Sequence, residues 1–180
     1  MVRMKYYKTK IISYAINLPR DLIMGIDYSA KRNNVDKEVL FAIIILEVIN
    51  RGDSINKFIE KATSIFFPKL LLKIDASLGI GQVKISNATL ILNENNKKLV
   101  MKKLLNPTEN IEIVAQFLSY LINTYKIEDK NYAELINLYL TGKIKPNSNE
   151  YIDTHYKLFS WSTEIRLYTK LFAISHNINI

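Results

Sequence analysis

The sharpest pattern in the chain is a stretch that is apolar on nearly every side. Residues 36–50 carry an unbroken apolar run from Val39 to Leu46 and continue through Glu47, Val48 and Ile49. This length and uniformity predict a central, buried helix rather than an amphipathic surface one. Asp36 is placed to cap it, and Arg51-Gly52-Asp53 ends it, with Gly52 suited to a left-handed C-terminal position. Upstream, a short helix is expected within Tyr14 to Met24, starting near Pro19, with Asn33-Asn34 as the break before Asp36. Residues 54–73 read as an amphipathic helix broken before Pro68. Residues 75–82, with two glycines, read as a loop that comes close to another part of the chain, and Ser86 to Leu92 as a helix opening after it. Asn106-Pro107-Thr108 is a helix start, in which Asn106 or Thr108 caps and Pro107 fits the first turn. The helix that follows has apolar residues at 111, 114, 117, 118, 121 and 122, which is helical spacing. Another covers roughly 131–141 and stops at Gly142. After a polar turn, residues 151–174 form a final aromatic-rich helix. The reading is a mainly α domain of six to eight helices with little strand signal.

Composition narrows the function classes. The 180 residues fit one domain, 1–180, and at 48% hydrophobic they are not a disordered composition. With no cysteine, disulfides, thiol nucleophiles and zinc–thiolate sites are excluded. The net charge of +8 favours an anionic partner, be it nucleic acid, acidic lipid or acidic cell wall. The lysines are dispersed, as at Lys5, Lys8 and Lys10, then Lys97-Lys98, then Lys102-Lys103, and form no dense basic run. Val39 to Leu46 is too short to cross a bilayer, so no membrane span is expected. Ile11 to Leu18 is apolar but is interrupted by Pro19, Arg20 and Asp21, so no secretory signal is recognised. Action outside the cytoplasm would then rest on lysis or a dedicated secretion route.

Four segments carry candidate chemistry. Glu47 lies near the end of the most hydrophobic helix, where partial burial favours the neutral carboxyl and raises its pKa. An acid still protonated near neutral pH is what glycosidic cleavage requires, because the leaving oxygen must receive a proton. The competing reading pairs Glu47 with Arg51, one turn on. The second segment is Ser77-Leu78-Gly79-Ile80-Gly81-Gln82, whose glycines let backbone approach a ligand and whose glutamine both donates and accepts; it is also compatible with an ordinary tight turn. The third is Asn106-Pro107 with Asn110-Ile111, opening a helix. The fourth is Tyr139-Leu140-Thr141-Gly142, ending one. Only His155 and His176 are present and no ligand cluster surrounds them, so neither a metal nor another cofactor is expected.

Taken in order, these segments resemble the lysozyme-like superfamily, especially lytic transglycosylases of the SLT type and goose-type lysozymes. Those families show an apolar helix ending in a catalytic Glu, a Gly-Leu-Met-Gln loop, a helix opening near Asn-Pro-x-x-Asn-Ile, and later Tyr-Asn-Ala-Gly. The matching residues are Glu47, Gly79-Ile80-Gly81-Gln82, Asn106-Pro107 with Asn110-Ile111, and Tyr139 with Gly142. The resemblance covers residues 36–142 as a catalytic core, with 1–35 an N-terminal extension and 143–180 a C-terminal helix packing on the core. The chain departs from the family pattern at Val48, where serine is usual, and at Leu140, where asparagine is usual. Its longer interval from Glu47 to Gln82 implies an inserted helix around 56–72.

The resemblance implies a single lysozyme-like helical domain that cleaves the β-1,4 bond between N-acetylmuramic acid and N-acetylglucosamine in peptidoglycan, with Glu47 as general acid. Two completions are open. In a lytic transglycosylase the muramyl 6-hydroxyl closes on C1; in a hydrolase a second carboxylate positions water, and Asp75 is the best candidate, followed by Asp53. Each of these aspartates also fits a cap or turn role. Ser77, Gly79, Gln82 and Asn110 are expected to bind substrate, with Tyr139 facing Glu47 across the cleft. Tyr132, Tyr151, Tyr156 and Trp161 are candidates for stacking on sugar rings or for the core. The expected partners are peptidoglycan glycan strands and an inhibitor or immunity protein, with the chain a monomer acting at the cell wall or periplasm, as in a phage endolysin, an antibacterial effector or a wall-remodelling enzyme. Two other readings compete: a catalytically inactive wall-binding protein of the same fold, and a basic nucleic-acid-binding protein, for which no recognition signature is present.

Overall fold

The computed structural model describes residues 18–51, 62–127 and 132–141. Helix α1 (Arg20–Arg32) starts after Pro19, with Asp21 in its first turn and Lys31 and Arg32 in its last, each complementing the helix dipole. Its buried residues Ile23, Ile26 and Ala30 recur at helical spacing. Asn33 closes it, and Asn34 takes a left-handed φ of 52°. Helix α2 (Lys37–Arg51) follows. Asp36 Oδ1 accepts from the Glu38 and Val39 amides at 2.8 and 3.3 Å, the cap expected from sequence. The run Val39 to Ile45 is buried without interruption, as is Val48.

Residues 62–66 are helical, and the chain breaks at Phe67 before α3 (Pro68–Lys73), the interruption expected at Pro68. The glycine segment is a small antiparallel hairpin rather than a plain loop. Strand β1 (Ser77–Leu78) pairs with β2 (Val83–Lys84), Ser77 opposite Lys84 and Leu78 opposite Val83. Helix α4 (Ile85–Leu92) leaves directly from β2 and ends at Asn93, which has a left-handed φ of 47°. Helix α5 (Lys97–Leu105) has no counterpart in the sequence reading. Its lysines at 97, 98, 102 and 103 break up the apolar pattern, yet Val100, Met101 and Leu104 still reach the core on one face. Helix α6 (Pro107–Tyr125) begins where the Asn-Pro signal places it. Asn106 Oδ1 accepts from the Thr108 and Glu109 amides at 3.0 and 3.1 Å, so Asn106 and not Thr108 is the cap. Helix α7 (Tyr132–Thr141) completes the described chain.

The described residues are mainly helical and form one small domain. Helix α6 is its hub, packing against α1, α2, α4, α5, α7 and β2. This follows from its composition, because Ile111, Val114, Leu118 and Leu121 lie on one stripe while Ile113 and Phe117 are buried beside it. Helix α1 shares this core through Ile26 and Ala30, and Asn33 Nδ2 donates to Glu112 Oε1 on α6 at 3.1 Å. The structural core therefore begins before residue 36 and takes in part of the segment expected to be an extension. Residues 143–180, and with them the expected C-terminal helix, lie outside the described residues.

Candidate active site

The backbone around the glycine segment is held by one buried side chain. Asn110, in the first turns of α6, is fully buried. Its Oδ1 accepts from the Gly81 amide at 2.7 Å, and its Nδ2 donates to the carbonyls of Leu78 at 3.1 Å and Leu104 at 2.9 Å. A carboxamide is the side chain suited to this place, since it offers an acceptor and two N–H donors from one planar group. The hairpin comes so close that a Cβ on Gly79 would collide with the Leu104 carbonyl and with Asn110, and one on Gly81 with Val114. Gly79 also has a φ of 80°, in the left-handed region. The two glycines thus bring the backbone against the protein's own helix α6. Asn110 and Gly79 brace the hairpin from within and are not among the residues that line the cleft, where they were expected.

On the other side of the hairpin lies a cleft of about 580 Å³, within the usual range for ligand sites of ~300–1,000 Å³. Five elements contribute to it. Helix α2 gives Glu47; the hairpin and its approach give Asp75, Ser77, Gln82 and Lys84; α4 gives Ser86, Asn87 and Leu90. Helix α6 gives Phe117, Tyr120, Leu121 and Tyr125, and α7 gives Leu138, Tyr139 and Leu140. Five of the residues singled out from sequence therefore meet here: Glu47, Asp75, Ser77, Gln82 and Tyr139.

Glu47 is half-buried in the last turns of α2. Among the described residues no hydrogen bond or ion pair holds its carboxylate. Loss of hydration raises its pKa from 4.5 to about 7. The negative end of the helix dipole opposes a carboxylate in the same direction. The side chain of Arg51, its alternative partner, lies outside the described residues, as does Asp53.

Tyr139 stands beside it. Its hydroxyl donates to the Gly81 carbonyl at 2.6 Å, and its ring packs on Phe117 with centroids 5.6 Å apart. Burial, and then the nearby Glu47 charge, push the phenol well above its ordinary pKa. Its one proton is committed to Gly81, so the oxygen offers acceptor lone pairs only. Such a neighbour suits a protonated Glu47 better than an ionised one.

Asp75 has a different setting. Its Oδ1 accepts from the Ser86 amide at 2.8 Å and its Oδ2 from the Ser86 hydroxyl at 2.6 Å. Both oxygens anchor the start of α4, where the helix dipole favours negative charge. Both oxygens are thereby committed to the protein's own backbone and hydroxyl, and neither is left free to take a proton from water. Gln82, with a left-handed φ of 49°, donates from Nε2 to the Gly79 carbonyl at 2.8 Å. Its side-chain oxygen has no partner among the described residues.

Sequence reasoning missed the aromatic wall from α6. Phe117, Tyr120 and Tyr125 line the cleft, while Tyr151, Tyr156, Trp161 and the Tyr132 side chain lie outside the described residues. The missed signal is spacing: Phe117, Leu121 and Tyr125 recur every fourth residue, starting two turns beyond the Asn110 brace. Among the described residues, no group of three His, Asp or Glu side chains is placed to hold a metal ion. No protein-family model, curated protein or solved structure matches the chain.

Proposed function

We propose that the protein is a peptidoglycan-cleaving muramidase of the lytic-transglycosylase type, with Glu47 as its general acid. The observation that carries the reading is a half-buried carboxyl, its pKa pushed up to about 7 and without a hydrogen-bond or ion-pair partner among the described residues, in the wall of a polar and aromatic cleft. The order of motifs along the chain, which resembles lysozyme-like enzymes, supplies the substrate.

In this reading Glu47 protonates the oxygen between N-acetylmuramic acid and N-acetylglucosamine as the bond from C1 to that oxygen breaks. The resulting carboxylate takes the proton of the muramyl 6-hydroxyl, whose oxygen closes on C1. Glu47 ends protonated as it began, and no water is consumed. Asp75 favours this completion over hydrolysis, because an inverting hydrolase needs a second carboxylate free to activate water, and both Asp75 oxygens are held by Ser86. Gln82 and Ser77 supply hydrogen bonds to the sugar amide and hydroxyls, and the α6 aromatics supply flat apolar faces.

The inactive wall-binder is favoured by one observation, Leu140 in the cleft wall where the resembling families carry asparagine. Val48 does not bear on it in the same way, since its side chain is buried in the core. Dye release from labelled sacculi separates the two readings. The transglycosylase reading expects release that falls as pH rises through about 7, as Glu47 loses its proton, and that Glu47→Gln abolishes. Binding to sacculi without any release would leave the inactive wall-binder.

A further inference from the structure

A second surface lies on the segment leading into the hairpin. Ile65, Phe66, Phe67, Leu70 and Ile74 are all exposed, Phe66 to 73% and Phe67 to 60%. The inner side of this segment is already satisfied, with Leu71 buried and Leu72 packed on the core. The outer residues therefore add little to the core, while an apolar crest exposed in this way invites association. Phe67 sits at the break between the helical residues 62–66 and α3, and Pro68 opens α3, so the two phenylalanines stand at the turn between two helical stretches.

The surroundings of the crest are cationic. Lys69 and Lys73 lie one turn apart on α3 and are exposed. Lys98 and Lys102, one turn apart on α5, line a shallow groove with Ser64 and Pro68. No Asp or Glu occurs between Ala62 and Ile74. Among the described residues no ion pair engages these four lysines. The next acid along the chain, Asp75, has both oxygens on Ser86.

We infer that this crest docks on the surface of an anionic phospholipid bilayer. The phenylalanines and aliphatic side chains enter the boundary between headgroups and acyl chains, and the four lysines meet the headgroup phosphates. Exposed apolar groups flanked by cations are the chemistry such an interface selects. Ile65, Leu70 and Ile74 offer no stacking face to a nucleic-acid base, which sets the surface apart from a polyanion site. No helix among the described residues is long and apolar enough to cross a membrane, so the contact lies at the interface. The crest ends one residue before Asp75, which lines the cleft, so docking holds that rim of the cleft beside the bilayer. The inference stands independently of the chemistry proposed for Glu47.

The test is co-sedimentation with vesicles of phosphatidylcholine alone and of phosphatidylcholine with a third phosphatidylglycerol. The wild type is expected to partition at least about tenfold more strongly onto the anionic vesicles, with salt weakening the difference. Lys69→Gln with Lys73→Gln loses roughly fivefold per lysine on anionic vesicles. Phe66→Ser with Phe67→Ser loses binding to both while melting like the wild type, because neither ring is in the core. Equal, weak partition of the wild type onto both vesicles overturns the inference, as does undiminished binding by the phenylalanine pair. A dimer in sedimentation velocity that Phe66→Ser dissolves, with vesicles ignored, assigns the crest to a second copy of the chain instead. Binding of an oligonucleotide that the lysine pair weakens and the phenylalanine pair leaves intact, again with vesicles ignored, assigns it to nucleic acid.

Discussion

Replacing Glu47 with glutamine stabilises the fold, and only at the pH where the carboxyl would ionise. In the folded protein the carboxyl holds its proton up to about pH 7, against an ordinary value of 4.5. Because the folded value is the higher one, the native state binds the extra proton between these limits, and stability falls as pH rises through that window. Below about pH 4.5 no penalty exists; above about pH 7 it is complete. The step from 4.5 to about 7 corresponds to about 3 kcal/mol at about 1.4 kcal/mol for each tenfold change in proton affinity. Glutamine matches the neutral acid in shape and never ionises, so Glu47→Gln should equal the wild type at pH 4 and exceed it by about 2–3 kcal/mol at pH 8.5. For a domain of this size that is roughly 4–12 °C in Tm. Paired urea denaturations of both proteins across this pH range measure the difference directly. A difference that does not change with pH would mean that Glu47 titrates like an exposed glutamate. A wild type that gains on the variant as pH rises would mean that a cation pairs with Glu47, and either result refutes the acid assignment without any substrate.

Three further expectations follow from the hairpin and its anchors. Asn110→Ala strands the Gly81 amide and the Leu78 and Leu104 carbonyls, and should cost about 3–5 kcal/mol; chemical denaturation measures it, and a cost below about 1 kcal/mol would mean that water replaces the carboxamide. Gly79→Ala forces a Cβ into the Leu104 carbonyl and Asn110 at a left-handed φ, and should cost more than about 3 kcal/mol or abolish soluble expression. Asp75→Asn retains an acceptor for Ser86, and in sacculus digestion its rate should stay within about tenfold of wild type, whereas loss of a true catalytic carboxylate costs on the order of a hundredfold or more.

The parts of this molecule legible in sequence are those governed by local chemistry. Asp36 and Asn106 cap the helices they precede because a short polar side chain bonds the next free amides, whatever the rest of the fold does. Helix α2 is legible because nothing but a core position accommodates seven consecutive apolar residues. Helix α5 was hidden because four lysines surround its three buried side chains, and only packing against α4 and α6 decides which face is inward. The hairpin was hidden because two-residue strands leave no period to detect. Asn110 shows the limit for the site: its place after Asn-Pro marked it as notable, but only the fold shows that all its bonds go to backbone and none to the cleft. The aromatic wall of α6 left a trace in its spacing, but Phe117 and Tyr125 come to line one cleft with Glu47 only once α2 and α6 pack.

Mass spectrometry of the soluble products from purified peptidoglycan, treated with the wild type and with Glu47→Gln, tests the chemistry of Glu47 itself. Muropeptides are expected from the wild type alone, each lighter by one water than its hydrolysed counterpart, as the closure of the 6-hydroxyl on C1 requires. Products with reducing ends would keep Glu47 as the acid and replace the transglycosylase completion with hydrolysis. No soluble product from the wild type across several wall types would rule out a muramidase, and equal release by both proteins would rule out Glu47 as its acid.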